Sequence, residues 1–587
     1  MTNSEAGSLA DPKLEMERGE RAAWRIIIGV LAGLFIAGLF QFGIFEPRTR
    51  GTFAFILMLA PFVLLGGVGR FRLSVLALWF AAAFAICWAI GAHAAGDEEN
   101  FGGGWYGAFV PTAALLFSLH HLIEGGDRAG RVFASYPTYF DIAWRDAVQL
   151  ALSIAFLGVF WILLGVGVLL FGLVGVTAFQ ALIASPVFIF PASGAIIGLS
   201  VHVTDTRDAL VRSVRMLALT LFSWLLPVLT LIALAFLLTL LTTGLEPLWA
   251  TRSAASILLT ASAALIVLIN ATYQDGATRA MPGWQRVTAI AAAAALVIMV
   301  AIAAYAIALR VGQYGLTPER VIAIAATALA ALYAVGYLAA ALWPGRAFRM
   351  IEPVNIAAAV LGVIVVIGLY TPIADPARIS VADQVRRLER DAVAAERFDY
   401  AFLRFASGRY GREALEALTR HDNVAIAERA RRFAAYETRS DYIAATGGEN
   451  ADAPDAAPLE ERITMRTPDR TLPASFLAHP WEGSPELHGT CLVRVNRWCD
   501  AYMIDWDGQE GEEIALLNEQ RGALLVFAQT DEEWRYAGRF NLSCAGDGAA
   551  WEAGELEFVP SGTRDLVIGG RREPFRAPDF PACPRNQ

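Results

Sequence analysis

The sequence predicts an α-helical polytopic membrane protein of about eleven spans, followed by a C-terminal soluble α+β domain built as a helical segment and then a small β-rich module. Three observations predict it. The mean hydropathy of the 587-residue chain is +0.47 and only 18% of its residues are charged, against about 25% in ordinary soluble domains. Apolar stretches long enough to cross about 30 Å of hydrocarbon recur through the first two-thirds. Charge is also split: 21 of 47 basic and 20 of 56 acidic residues precede Pro376, leaving 26 and 36 in the last third.

The first 22 residues are polar, with Asp11, Glu15, Glu17 and Glu20 among few bases. The apolar run from Trp24 to Phe45 is too long for a signal-peptide core and lacks a small-residue cleavage site, so residues 1–23 read as a tail before a retained first span. Spans are expected near 24–45, 53–69, 72–95, 105–123, 148–174, 176–201, 216–243, 253–270, 286–309, 320–343 and 354–371, a membrane domain over 24–371. The stretch 53–69 is short and holds Pro61. Only a turn near Gly175 separates 148–174 from 176–201. If that pair were one re-entrant unit, the tail would change sides.

Alternate connections differ in charge. One set holds Lys13, Arg18, Arg21 and Arg25, then Arg70 and Arg72, then Arg128, Arg131 and Arg145, then Arg207, Arg212 and Arg215, then Arg279 and Arg286, and last Arg346 and Arg349. The other has Arg48, Arg50, Arg252, Arg310 and Arg320, with the acidic Asp97, Glu98 and Glu99. Because basic residues collect in short cytoplasmic loops, this bias predicts a cytoplasmic N-terminus in a bacterial inner membrane and, with an odd span count, a periplasmic C-terminal domain. Cys491, Cys499, Cys544 and Cys583 lie in that domain, an even set that suggests two disulfides in an oxidising compartment. Proximity favours Cys491 with Cys499 and Cys544 with Cys583. A Cys-only zinc site is the rival, but no pair has the usual short spacing. Cys87, in a span, serves as a small apolar residue.

Ionisable groups at mid-span mark pumps and intramembrane proteases. Here His93, His120, His121, Glu124, Asp141, Asp146, His202 and Asp205 fall at span ends or in loops, and Asn270 closes a span. His120 and Glu124, four apart, share a helix face and invite a metal, but no third ligand is evident, and a polar cap on the fourth span is the plainer reading. Pro186 and Pro191 in one span free backbone carbonyls that can bind a solute; a packing kink accounts for them as well.

Beyond Pro376 the pattern becomes amphipathic. A helical segment is expected over 376–445, with helices at Tyr400–Ala406, Arg412–Leu418 and Val424–Tyr436, then a linker over 446–470 rich in Ala, Asp, Gly and Pro. The β-rich module over 471–587 should hold strands at Cys491–Val495, Tyr502–Ile504, Ile514–Leu517, Ala523–Phe527 and Trp534–Phe540. Between two of these, Asp505, Asp507 and Glu513 flank a glycine turn and offer hard oxygen ligands to calcium, although Gln509 stands where a third acidic ligand is usual. A β-turn closed onto backbone amides is the alternative. The tail's net negative charge argues against nucleic acid as a partner.

Tyr136-Pro137-Thr138-Tyr139-Phe140-Asp141-Ile142-Ala143-Trp144, then Gln149-Leu150 and Phe160-Trp161, and Gln313-Tyr314-Gly315-Leu316-Thr317-Pro318-Glu319-Arg320 resemble a bacterial multi-pass membrane family, domain of unknown function 4153. Phe398-Asp399-Tyr400, Leu403-Arg404-Phe405 and Arg409-Tyr410-Gly411 are similar to the segment C-terminal to the spans in some members. The resemblance runs from about the fourth span through the tail; it supports the topology and supplies no activity. The expectation is a non-enzymatic membrane protein, with no cofactor other than that calcium, whose exported domain binds an envelope protein or cell-wall component. The alternative is a small-solute transporter or channel using the span that holds Pro186 and Pro191.

Overall fold

The computed structural model describes residues 18–573 apart from 43–44, 96–102, 247, 249–252, 277–280, 344–347, 440, 443–458, 469, 480, 482–486, 488–489, 493–498, 506–512, 519–522, 531–532, 542–565 and 569–570. The chain divides into two units. One comprises Met1–Arg390 with Ser407–Ala414, the other Asp391–Ala406 with Leu415–Gln587.

The first unit is helical: α1 (Arg18–Phe42), α2 (Pro47–Leu59), α3 (Pro61–Gly67), α4 (Leu73–Ala94), α5 (Gly103–Ala129), α6 (Tyr136–Leu173), α7 (Ala178–Ala184), α8 (Pro186–Thr206), α9 (Asp208–Thr243), α10 (Ala254–Tyr273), α11 (Gly283–Tyr314), α12 (Pro318–Leu342), α13 (Ile351–Leu369) and α14 (Pro376–Glu389). Among the described residues ten segments are long and apolar enough to cross a membrane: α1, α2 with α3, α4, α6 and α8 through α13. This is a polytopic helical membrane protein. The expected fourth span, 105–123, coincides with the 27-residue α5, which is not among those ten. Pro61 divides the second span into α2 and α3, as a proline without a donor should.

The 148–201 region is divided among three helices, α6, the short α7 and α8. α6 ends at Leu173, Gly175 turns the chain at φ +75°, and α7 stops at Ser185, whose extended backbone (ψ 129°) opens α8 with Pro186 in its first turn. α8 packs on α1 at backbone distance. A Cβ built on Gly29 would lie 2.0 Å from the Gly194 carbonyl oxygen, one on Gly33 2.3 Å from that of Phe190, and one on Gly198 2.4 Å from that of Arg25. Small residues four apart on both helices permit this crossing, the usual means of close approach in lipid.

In the second unit Phe405 of a π-helical turn (Phe402–Ala406) and Phe433 of α16 (Val424–Ala434) join Tyr400 and Tyr442 in one aromatic cluster. The unit boundary falls inside α15 (Gly408–Leu418). A five-stranded sheet comes next, in the order β1 (Ile463–Met465), β2 (Cys499–Ile504), β3 (Glu513–Asn518), β4 (Ala523–Thr530) and β5 (Glu533–Asn541). β1 is parallel to β2 and the other pairs are antiparallel. β1 comes from the stretch read as linker, directly after the short helix α17 (Leu459–Arg462). The expected strand at Cys491–Val495 is replaced at Cys491 and Leu492 by a turn; the rest of it lies outside the described residues. The helix α18 (Ala474–Ala478) seats Phe476 among Trp481, Phe527 and Trp534, with the Trp481 and Trp534 indole N–H groups donating to the Phe476 carbonyl and the Ser475 hydroxyl.

Candidate functional site

Sequence reading counts Arg25, the second residue of the expected first span, with the basic residues at its N-terminal end. The structure places it in the second turn of α1 and wholly buried, 0% exposed. A lone buried guanidinium is costly, and each of its bonds meets that cost in part. Nε donates to the Leu65 carbonyl at 3.1 Å, and Nη2 to the Val68 carbonyl at 3.0 Å and to Asp205 Oδ2 at 2.8 Å. Leu65 and Val68 lie at the C-terminus of α3, where carbonyls lack intrahelical donors and the helix dipole is negative.

Asp205, on the last turn of α8, also accepts from Arg70 Nη2 at 2.7 Å. Arg70 bridges onward to Asp146 Oδ1 at 2.8 Å and to Gln149 Oε1 at 2.7 Å. Gln149 in turn donates to the Val201 carbonyl and to Thr204. From Asp146 the chain of charges runs through Arg145 Nε at 2.8 Å to Glu124, which Arg145 Nη2 grips at 2.8 and 3.0 Å and Arg128 at 2.5 Å. Glu124 is 0% exposed. Four arginines thus hold three carboxylates in one layer tying α1, the end of α3, α5, α6 and α8.

The starts of α1 and α6 and the ends of α3, α5 and α8 meet in this layer, so those ends share one side of the bundle, the Arg-rich side. Arg72, opening α4, pairs with Asp127 near the end of α5 at 2.6 Å, so α5 runs back alongside α4. At the opposite end of α4, His93 bonds Asp375, which begins α14. The 22-residue α4 is about 33 Å long. The first described residues of α1 and the chain's exit into α14 therefore lie at opposite ends of the bundle.

His120 and His121 adjoin the layer, and Asp146, 22 residues beyond Glu124, supplies the third ligand type that the sequence did not reveal. Ligand atoms of His120, Glu124 and Asp146 lie within 4.8 Å of one another, the one such His/Cys/Asp/Glu group among the described residues. Its hydrogen bonding opposes a divalent ion. Trp79 Nε1 can only donate, and it donates to His120 Nδ1 at 3.1 Å. The neutral ring then carries its hydrogen on Nε2, 3.9 Å from Glu124 Oε2, where a metal would need a lone pair. Both carboxylates are already held by guanidinium groups. His121 Nε2, on a residue 6% exposed, lies 3.5 Å from Asp146 Oδ2, beyond a good hydrogen bond. The arrangement suits a clasp between helices.

A second polar cluster crosses α6, α10, α12 and α13. Tyr337 donates to Asn355 Oδ1 at 2.6 Å and accepts from Asn270 Nδ2 at 2.5 Å, while Asn355 Nδ2 donates to Asn270 Oδ1 at 2.6 Å and to the Tyr136 hydroxyl at 3.0 Å. The amide and phenol groups satisfy one another in a ring, the condition under which buried polar groups rigidify a core.

Pro186 and Pro191 sit on α8 beside the α1 crossing; α8 continues unbroken through Pro191, and Trp161 donates to Ser193 two residues further on at 3.1 Å. In the second unit, Cys491 and Cys499 form a disulfide with Cα atoms 5.7 Å apart; Cys544 and Cys583 lie outside the described residues. Ile504 pairs with Glu513, so the acidic stretch is the β2–β3 hairpin loop. Asp505 is exposed at the end of β2 and Glu513 is buried at the start of β3, while Asp507 lies outside the described residues.

The residues that carried the family resemblance hold the bundle together. Pro137 opens α6, the Tyr139 hydroxyl accepts from Ala134 N at 2.9 Å, Asp141 pairs with Arg215, and Thr317 caps α12 through Arg320 N. A family model described as domain of unknown function (DUF4153) matches residues 21–421. The chain belongs to the DUF4153 family. The match begins at the first span, earlier than the fourth-span start of the sequence resemblance, and ends before α16 and the sheet of the second unit, so the DUF4153 region is the membrane bundle with the stretch through α15 after it. No curated protein matches the chain, and no solved structure does.

Proposed function

We propose that this DUF4153 protein is a bacterial inner-membrane scaffold with a cytoplasmic N-terminus, whose periplasmic C-terminal unit binds an envelope protein or cell-wall component. The observation that carries the reading is the mutual pairing of the charges at this end of the bundle, of which Arg25 and Glu124 are fully buried. Arg25, Arg70, Arg128, Arg145, Asp146, Asp205 and Glu124 are engaged with one another, which suits a rigid anchor. The Cys491–Cys499 bridge suits an oxidising compartment, and the alternating arginines suit the orientation. The test has two parts. A reporter that fluoresces only in the cytoplasm should be dark when fused after Gln587 and bright near Gly345; a bright C-terminal fusion overturns the orientation. Cross-linking in intact envelopes should then capture a reproducible partner that is lost when residues 446–587 are deleted; unchanged capture on that deletion overturns the binding role.

A second reading, small-solute transport, has one observation in its favour, the interruption at Ser185–Pro186 between α7 and α8. The flush crossing of α8 on α1 leaves that face of α8 no room for a solute. Solute flux into proteoliposomes that Pro186→Ala abolishes would favour transport over the anchor. Calcium at Asp505, Asp507 and Glu513 belongs to the first reading as a stiffener of the β2–β3 loop, and calorimetric titration of the purified protein with calcium tests it.

A further inference from the structure

α14 is held at two places. At its start, Asp375 Oδ1 accepts from the backbone N–H groups of Ala377 at 2.7 Å and Arg378 at 3.1 Å, while Oδ2 bonds His93 at the end of α4. Eight residues on, its side chains grip the α11–α12 turn. Asp383 Oδ2 accepts from Leu316 N at 2.8 Å, Gln384 Nε2 donates to the carbonyls of Tyr314 at 2.9 Å and Leu316 at 3.0 Å, and Arg387 Nη2 donates to the Gln313 carbonyl at 3.0 Å. Gly315 adopts φ +74°, and a Cβ there would lie 2.9 Å from Asp383 Oδ2 and 2.7 Å from Gln384 Nε2. Only glycine gives the turn both its left-handed backbone and room for the incoming side chains. The two holds are about 12 Å apart along the helix, too far for their polar groups to meet directly.

We propose that α14 is a two-anchor strap whose tie to His93 and grip on residues 313–317 form one cooperative unit, so that loosening either anchor loosens the other. The physical ground is the rigidity of a capped helix. Losing the N-terminal cap frays the turn that positions Asp383, and losing the grip at Asp383, Gln384 and Arg387 frees the helix to pull Asp375 from His93. α14 is followed at Asp391 by the first residue of the second unit, so the strap is one of the covalent connections between that unit and the bundle. This coupling stands independently of what the second unit binds.

Hydrogen exchange on the full-length protein in lipid nanodiscs tests it, with mass-spectrometric readout of two peptides, 313–320 and 373–382. His93→Gln should speed exchange in 313–320, and Asp383→Asn should speed it in 373–382, each by about tenfold and by the same factor, because coupling free energies are reciprocal. Asp375→Asn and Gln384→Ala form a second pair, read in the same way if either first variant exchanges throughout the bundle and so has lost its fold. Faster exchange confined to the mutated anchor in both pairs overturns the proposal.

Discussion

Gly198→Ala tests whether the α1–α8 crossing sets the geometry of the buried ion pairs. The added Cβ would lie 2.4 Å from the Arg25 carbonyl oxygen and 3.0 Å from Ile26 N, about 1 Å short of ordinary contact. α1 must retreat by that amount at the residue whose guanidinium reaches Asp205 at 2.8 Å. Overpacking of this kind costs about 1–3 kcal/mol. Stretching the Arg25–Asp205 contact to about 3.8 Å forfeits part of the roughly 3–5 kcal/mol lost when a buried pair is broken, part only because Arg70 still holds Asp205. The better helix propensity of alanine returns about 1 kcal/mol. A net destabilisation of about 2–4 kcal/mol is expected. Gly165→Ala is the control, since nothing lies within 4 Å of its added Cβ, and it should be neutral or stabilising. Reversible unfolding in mixed micelles, followed by tryptophan fluorescence, ranks the two. If Gly198→Ala matches or exceeds Gly165→Ala in stability, the claim that this crossing positions Arg25 is wrong.

Other predictions concern the termini of the network and the second unit. In unreduced, denatured protein Cys491 and Cys499 should resist thiol labelling until a reductant is added, and labelling without one refutes the bridge. Burial pushes the Asp375 carboxyl up, but the bond from His93 and the N–H groups of Arg378 and Ala377 outweigh it and hold the group below its ordinary range. A depressed carboxyl contributes stability that is full above its unfolded value, near 4, and lost as pH falls through the lower folded value. Stability should thus show no dependence on Asp375 between pH 7 and 5, and Asp375→Asn should remove part of the loss seen below about pH 4. Replacing His120 and His121 together by Ala should leave the metal content of the purified protein unchanged while lowering its stability by about 2 kcal/mol or more, since the Trp79 N–H is left unpaired in the core; a metal lost with the histidines contradicts the hydrogen-bond argument.

The spans were legible because each is a long apolar run, and Pro61 and Gly175 marked real interruptions. The charged layer was not legible. Arg25 reads as one more flanking arginine, and its partner Asp205 lies 180 residues away, so no local pattern joins them. Asp146 was visible as a span-end acid, yet its approach to His121 and Glu124 depends on how α5 and α6 pack. The Asn270 ring has no local signature for the same reason, since Tyr337 and Asn355 look like ordinary polar residues near helix ends. In the second unit β2 to β5 announced themselves as short strand-forming runs with turns between them, whereas three-residue β1 is too short to stand out and owes its strand to pairing with Cys499–Ala501.

The separation of Arg25 from its partners also sets a timetable for synthesis. At roughly 5–20 residues per second, the Leu65 and Val68 carbonyls, 40 and 43 residues downstream, leave the ribosome about 2–9 s after Arg25. Asp205 emerges only about 9–36 s after Arg25. During that interval the first helix is in place with its charge resting on carbonyl dipoles alone, and α8 completes the contact when it arrives. A nascent chain stalled before residue 205 therefore holds the Arg25 guanidinium on the Leu65 and Val68 carbonyls, without the carboxylate that α8 brings.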